Sequence, residues 1–96
     1  MIEIRKTDVY ANWESSLRDL RARARVQARV ERLIHGNPGD VKPVGGGVSE
    51  LRIDYGPGYR VYYVMRGRSL IILLAGGDKR SQSKDIAMAI QLADGL

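Results

Sequence analysis

The stretch from Ser49 to Ala75 leaves this chain little choice of fold. Leu51, Ile53 and Tyr55 alternate with Glu50, Arg52 and Asp54, and Gly56-Pro57-Gly58 supplies a turn. Tyr59, Val61, Tyr63 and Met65 then alternate with Arg60, Tyr62, Val64 and Arg66. A period of two on both sides of a glycine-rich turn is the pattern of an antiparallel hairpin. Gly67 makes the next turn, and Ser69 to Ala75 is apolar at both parities, as in a central strand covered on both faces. If the turn has three residues, Tyr55 faces Tyr59, and the register sets Asp54 against Arg60, Ile53 against Val61, Arg52 against Tyr62 and Leu51 against Tyr63. The apolar set belongs to a core. The other face gathers Glu50, Arg52, Asp54, Arg60 and Tyr62.

Before this sheet the period changes. Ile2 and Ile4 alternate with Glu3 and Arg5 as a short first strand, and Thr7 or Asp8 can cap a helix. Val9, Trp13, Leu17 and Leu20 form one helical stripe, and Ala22, Val26, Val30 and Leu33 form a second on roughly the opposite side. One straight helix cannot bury both, so a break near Arg18 to Arg21 makes a helical hairpin. His35-Gly36-Asn37-Pro38-Gly39 stops the second helix. Val41 to Val48, with Pro43 and three consecutive glycines, reads as a loop or a ragged edge strand. Gly76-Gly77 is expected to end the last strand, and Ser81 or Ser83 to cap a final helix whose buried stripe is Ile86, Ala89, Ile90 and Ala93. The expectation is a single α+β domain over residues 1–96. Its order is β-α-α-β-β-β-α, a small twisted antiparallel-rich sheet with an N-terminal helical hairpin and a C-terminal helix.

The chain carries a formal net charge of +5 in 96 residues, which favours an acidic partner. Arg18, Arg21, Arg23, Arg25, Arg29 and Arg32 crowd the helical hairpin; Arg60, Arg66, Arg68, Lys79, Arg80 and Lys84 crowd the last third. No cysteine is present, so disulfides, cysteine zinc sites and thiol catalysis are excluded. The longest apolar run, Leu70 to Ala75, is too short to span a bilayer, and Met1 to Lys6 has no signal-peptide core. A cytoplasmic protein without a membrane partner is expected.

Chemistry concentrates on the polar strand face. Arginines there can hold a phosphate by paired hydrogen bonds, and Tyr62 can stack on a base or exchange a proton. The same residues would also make an ordinary solvated face with an Asp54–Arg60 ion pair. Gly76 to Asp85 runs from a strand end into a helix start, where backbone N–H groups and Lys79, Arg80 and Lys84 could gather on an anion or simply form a basic helix entry. His35 suits a helix C-terminus. No second histidine and no His/Asp/Glu cluster at metal spacing accompany it, so neither a metal nor another cofactor is expected. Trp13 belongs with the core. The arginine-rich helix is either a solvated face or a dock for RNA or an acidic protein.

In order and spacing the chain resembles the RelE/ParE toxin superfamily, in its addiction module killer (HigB-like) branch. The resemblance covers nearly the full length. It rests on Trp13 with the basic helices, Gly36-Asn37-Pro38-Gly39-Asp40, the block from Gly47 to Ile53, the block from Tyr55 to Tyr63, and Gly76-Gly77-Asp78-Lys79 followed by Gln82, Lys84, Asp85 and Ile86. It implies the toxin of a type II toxin–antitoxin system: a ribosome-dependent, metal-independent endoribonuclease acting on mRNA, neutralised by a helix-turn-helix antitoxin and reaching operator DNA only through the antitoxin complex. Arg60 matches a phosphate-binding arginine, Lys79 a second catalytic cation, and Arg52 one of two basic strand positions. Glu50 replaces the other cation with a possible base, and Asp85 lies near where relatives place a tyrosine. The implied site is therefore Arg60 and Lys79 as transition-state stabilisers, Arg52 as substrate clamp, and Glu50, Tyr62 or Asp85 for proton transfer. Arg18, Arg21, Arg25, Arg80 and Lys84 are the expected RNA contacts around it. Two alternatives share the resemblance: a gyrase-poisoning toxin without nuclease activity, and an inactive module that only binds an antitoxin.

Overall fold

The alternating segment forms the middle of a five-stranded sheet. The computed structural model describes residues 2–96, so Met1 of the expected domain lies outside the described residues. Its elements are β1 (Glu3–Lys6), α1 (Asp8–Ser16), α2 (Leu20–Ile34), β2 (Val41–Gly45), β3 (Val48–Ile53), β4 (Tyr59–Arg66), β5 (Leu70–Asp78), a 3-10 turn (Lys79–Ser81) and α3 (Gln82–Asp94). The strand order is β1-β5-β4-β3-β2, with β1 parallel to β5 and the other pairs antiparallel. The expected α+β architecture stands, with β2 as the ragged edge. It pairs with β3 and slips register between Pro43 and Gly45, since proline is tolerated where no ladder donor is needed. No helix among the described residues is long and apolar enough to cross a membrane.

The hairpin register differs from expectation. Ile53 pairs with Tyr59, Arg52 with Arg60, Leu51 with Val61 and Glu50 with Tyr62. The connecting turn is thus five residues, Asp54 to Gly58, with left-handed φ of 55° at Gly56 and 82° at Gly58. The shift is two residues, so every side chain keeps its expected face. Asp54 leaves the ladder and does not oppose Arg60.

Both faces of the sheet are covered. Leu51, Ile53, Val61, Ile71 and Leu73 form one core with Tyr10, Val26, Val30 and Leu33 from the helical hairpin. Val48, Tyr62, Val64, Leu74 and Ala75 form another with Ala89 and Ala93 of α3. Thr7 caps α1, its hydroxyl accepting from the Tyr10 N–H at 3.0 Å, and Asp19 caps α2. Because Asp19 starts a new helix, Leu20 is its first residue and is 74% exposed; it does not join the first stripe, and Tyr10 is buried instead. Part of the arginine cluster is structural. Arg23 donates to the carbonyls of Ser15 and Leu17, and Arg29 to those of Arg52, Pro38 and Asp40, tying helix ends and loops together.

Gly76 and Gly77 do not end β5, which continues to Asp78. They thin it. Consecutive strand residues face opposite ways, and a Cβ at Gly76 would overlap the Trp13 ring of α1 while one at Gly77 would overlap the Asp85 carboxylate of α3. Both helices therefore press on the same strand end. Gly76→Ala and Gly77→Ala should each destabilise the chain by about 1–3 kcal/mol or more through overpacking, measured by urea denaturation.

Candidate functional site

Register alone places two cations side by side. Arg52 of β3 lies directly opposite Arg60 of β4, which in turn pairs with Gly77 of β5. Like charges opposed across strands repel, and one row behind them sits the compensating charge. The Glu50 carboxylate accepts from Arg52 Nε at 2.9 Å and lies 3.9 Å from Arg60 Nε. Its other oxygen accepts from the Tyr62 hydroxyl at 3.1 Å and from Gln82 Nε2 of α3 at 2.8 Å. The Glu50 side chain is wholly buried. Burial pushes its carboxyl up, but the hydrogen bonds from Arg52, Gln82 and Tyr62 and the nearby Arg52 charge outweigh it, and the net shift is downward. Burial and Glu50 together raise the Tyr62 phenol, which therefore stays protonated and donates.

In front of this network opens a cleft of about 380 Å³, lined by Asp40, Arg52, Asp54, Gly58, Arg60 and Lys79 with the rest of the Gly56-Pro57 turn. Gly58 is the hub. A Cβ there would stand 3.4 Å from Arg60 Nη1 and 3.5 Å from the Lys79 Cβ, so the Arg60 guanidinium and the root of the Lys79 side chain flank it closely. Arg60 Nη1 donates to the carbonyls of Gly58 at 3.1 Å and Tyr59 at 3.2 Å. Its Nε is buried with no hydrogen-bond partner among the described residues. Lys79 opens the 3-10 turn after β5, and Asp78 holds that turn by accepting from the Arg80 N–H at 2.8 Å.

Three of the residues singled out from sequence, Arg52, Arg60 and Lys79, meet in this cleft. The three proton-transfer candidates do not line it. Glu50 and Tyr62 are fully buried, and Asp85 is nearly so, accepting from Ser81 Oγ beneath Gly77. With both oxygens engaged, Glu50 orients cations and is shielded from the cleft. Arg18 and Arg21 are exposed at the α1–α2 corner, and Lys84 is exposed on α3. Arg25 lies over the Tyr55 ring at 4.7 Å, and Arg80 pairs with Asp78 at 3.1 Å. Sequence reasoning set Asp54 on this face as a partner for Arg60, and it named Asp40 and Gln82 within motifs without giving a role to the cleft carboxylate or the anchoring amide. Among the described residues no group of three or more histidines and carboxylates gathers at metal-ligating distance.

The Glu50 network fixes a pH dependence. A carboxyl whose folded pKa is depressed adds stability in full above its ordinary value of 4.5, and that stability is lost as pH falls through the lower folded value. Glu50→Gln should therefore lower stability at neutral pH and flatten its decline on the acid side, in urea titrations taken from neutral pH down to about pH 3. Tyr62→Phe, which removes one hydrogen bond to a buried charge, should cost about 1.5–3 kcal/mol in the same measurement at neutral pH.

Comparison with known proteins adds family, not activity. An uncharacterized protein of Haemophilus influenzae (strain ATCC 51907 / DSM 11121 / KW20 / Rd) is 50% identical over 95 residues, covering 99% of this chain and 96% of its own length. The family model described as "Phage derived protein Gp49-like (DUF891)" matches residues 15–95, a span that takes in both basic helices' junction, the hairpin, the cleft and α3. The chain belongs to the phage-derived Gp49-like family.

Proposed function

We propose that this Gp49-like chain is the toxin of a type II toxin–antitoxin pair and cleaves mRNA at the ribosome without a metal. The observation that carries the reading is the Arg60 guanidinium at the floor of the cleft. It is held by two backbone carbonyls, backed by the buried Glu50 charge, and lines the same space as Arg52 and Lys79. An anion in the cleft would draw on this cluster of cations. The RelE/ParE-like motifs that place Arg52, Arg60 and Lys79 in one site support the same reading.

The reaction that fits is transphosphorylation. The ribose 2′-oxygen attacks the adjacent phosphorus, the bond from phosphorus to the 5′-oxygen breaks, and the products are a 2′,3′-cyclic phosphate and a free 5′-hydroxyl. Arg60 and Lys79 stabilise the charge that grows on the phosphate oxygens, and Arg52 clamps the substrate. Arg52 and Arg60 are preorganised by fixed contacts and do not need to reorient as charge develops. Arginine remains charged in proteins and makes a poor base. The carboxylates facing this space are Asp40 and Asp54, and the 2′-hydroxyl proton passes to one of them; water protonates the leaving 5′-oxygen. The neutralising partner is a small helix-turn-helix protein with an acidic segment suited to this cationic surface.

Arg60→Ala and Lys79→Ala should each lower the rate of mRNA cleavage in a purified translation system by about a hundredfold or more, and Arg60→Ala should end growth arrest in cells lacking the antitoxin. Asp40→Asn or Asp54→Asn should remove the acidic limb of the pH–rate profile, whichever residue takes the proton. Full activity of Arg60→Ala, or inhibition of gyrase supercoiling with no RNA cleaved, would replace the nuclease reading.

A further inference from the structure

Beside the cleft, and sharing Asp54 with it, lies a second groove of about 340 Å³ lined by Arg25, Ala28, Arg29, Arg32, Ile53 and Asp54. Its four helical residues lie on one face of α2, because spacings of three, four and seven return to the same side. The three arginines are not equivalent. Arg29 is occupied, its guanidinium donating to the carbonyls of Arg52, Pro38 and Asp40. Arg25 is exposed and laid against the Tyr55 ring at 4.7 Å, which presets a flat cation at one end. Arg32 is exposed in the last turn of the helix, with Nη2 reaching toward Gly39. Between them Ala28 and the end of β3 at Ile53 leave an apolar floor with cations at both ends.

We propose that this groove is a nucleotide subsite for single-stranded RNA leaving the cation cleft. It takes the unpaired base next to the cleaved linkage, against Ala28, Ile53 and the plane of Arg25, and Arg32 holds the phosphate beyond. The assignment rests on the RNA reading of the neighbouring cleft. Its chemistry is that of single-strand recognition, in which bases stack on flat aromatic or guanidinium surfaces and cations track the backbone. Arg25 and Arg32 stand seven residues apart, about 10 Å along the helix axis, and so bracket one unit of a chain crossing the groove. Asp54 on the shared rim repels phosphate, so one phosphate falls in the cleft, the next beyond the groove, and the base crosses the rim. The continuity of the two depressions and their common positive charge favour this occupant over a neutral ligand.

The test uses the full-length chain and fluorescence anisotropy with labelled 2′-fluoro oligoribonucleotides, which lack the attacking hydroxyl and cannot be cut. The wild type should bind a pentanucleotide about five- to a hundredfold more tightly than a dinucleotide, the worth of roughly one stacked base. Ala28→Glu, at an exposed helical position, should erase that difference while leaving the thermal midpoint unchanged, and the double variant Arg25→Ala/Arg32→Ala should erase it with a lowered thermal midpoint from the lost Arg25–Tyr55 contact. An unchanged difference in both variants, no difference in the wild type, or an abasic pentanucleotide bound as tightly as the intact one would overturn the subsite. Failure of the nuclease reading looks different. Unmodified mRNA would then survive intact with ribosomes present, while the length-dependent binding and its loss in the variants would still be seen.

Discussion

Arg52 and Arg60 face each other across two strands, and the sheet tolerates that pair because Glu50 lies one row behind, ionised and cut off from water. An isolated charge in such a place would be expensive. Here every neighbouring layer contributes to its solvation: Arg52 from its own strand, Tyr62 from the next, and Gln82 from the helix that covers them. The anchor thus links sheet to α3 at the same point where it orients two guanidinium groups toward solvent. Stability and site geometry are one arrangement, and a chain that lost the carboxylate would leave two opposed cations without a counter-charge.

The glycine pair at the end of β5 solves a separate problem in the same region. Lys79 must reach the cleft from β5 while Arg52 and Arg60 reach it from β3 and β4, so the last strand has to end close to both helices. Gly76 lets Trp13 lie flat on one side and Gly77 admits Asp85 on the other. Asp78 then turns the chain sharply by capping the 3-10 turn, which brings Lys79 beside Gly58. Removing side chains at two consecutive positions is what allows three strands and a helix start to share one small opening.

The sequence made the sheet legible because parity is robust. Misjudging the turn by two residues moved every cross-strand partner yet left each strand side chain on its proper face, so Arg52 and Arg60 could be gathered from pattern, and the family resemblance added Lys79. Depth was not legible. Glu50 and Tyr62 alternate with apolar residues just as solvent-facing residues do, and only the packing of α3 over that half of the sheet shows them to be interior. The same limit applied to Leu20, whose helical spacing matched a buried stripe until Asp19 began a new helix and turned it outward. Asp54 was misplaced for a third reason: two glycines with left-handed backbone lengthen the turn, and that conformational choice has no period to betray it. Asp40 closes the Gly36-Asn37-Pro38-Gly39-Asp40 block, which has no strand or helix period to say which way its side chain faces.

The charge of the chain reads differently once its arginines are sorted by what they touch. Arg23, Arg29 and Arg66 cap carbonyls at helix ends or loops and so contribute to the fold, and the exposed Arg80 is matched by Asp78. What remains for a partner is narrower than the net charge suggests: the cleft with Arg52, Arg60 and Lys79, the α2 face with Arg25 and Arg32, the exposed corner at Arg18 and Arg21, and the scattered exposed cations Lys42, Arg68 and Lys84. A diffuse positive field would attract any polyanion equally. Two adjoining depressions, the cleft and the α2 groove, instead concentrate part of the charge locally, and on the proposed reading they meet a strand that alternates phosphate with base. On that reading, selectivity among polyanions rests on the spacing of these depressions more than on the number of positive charges.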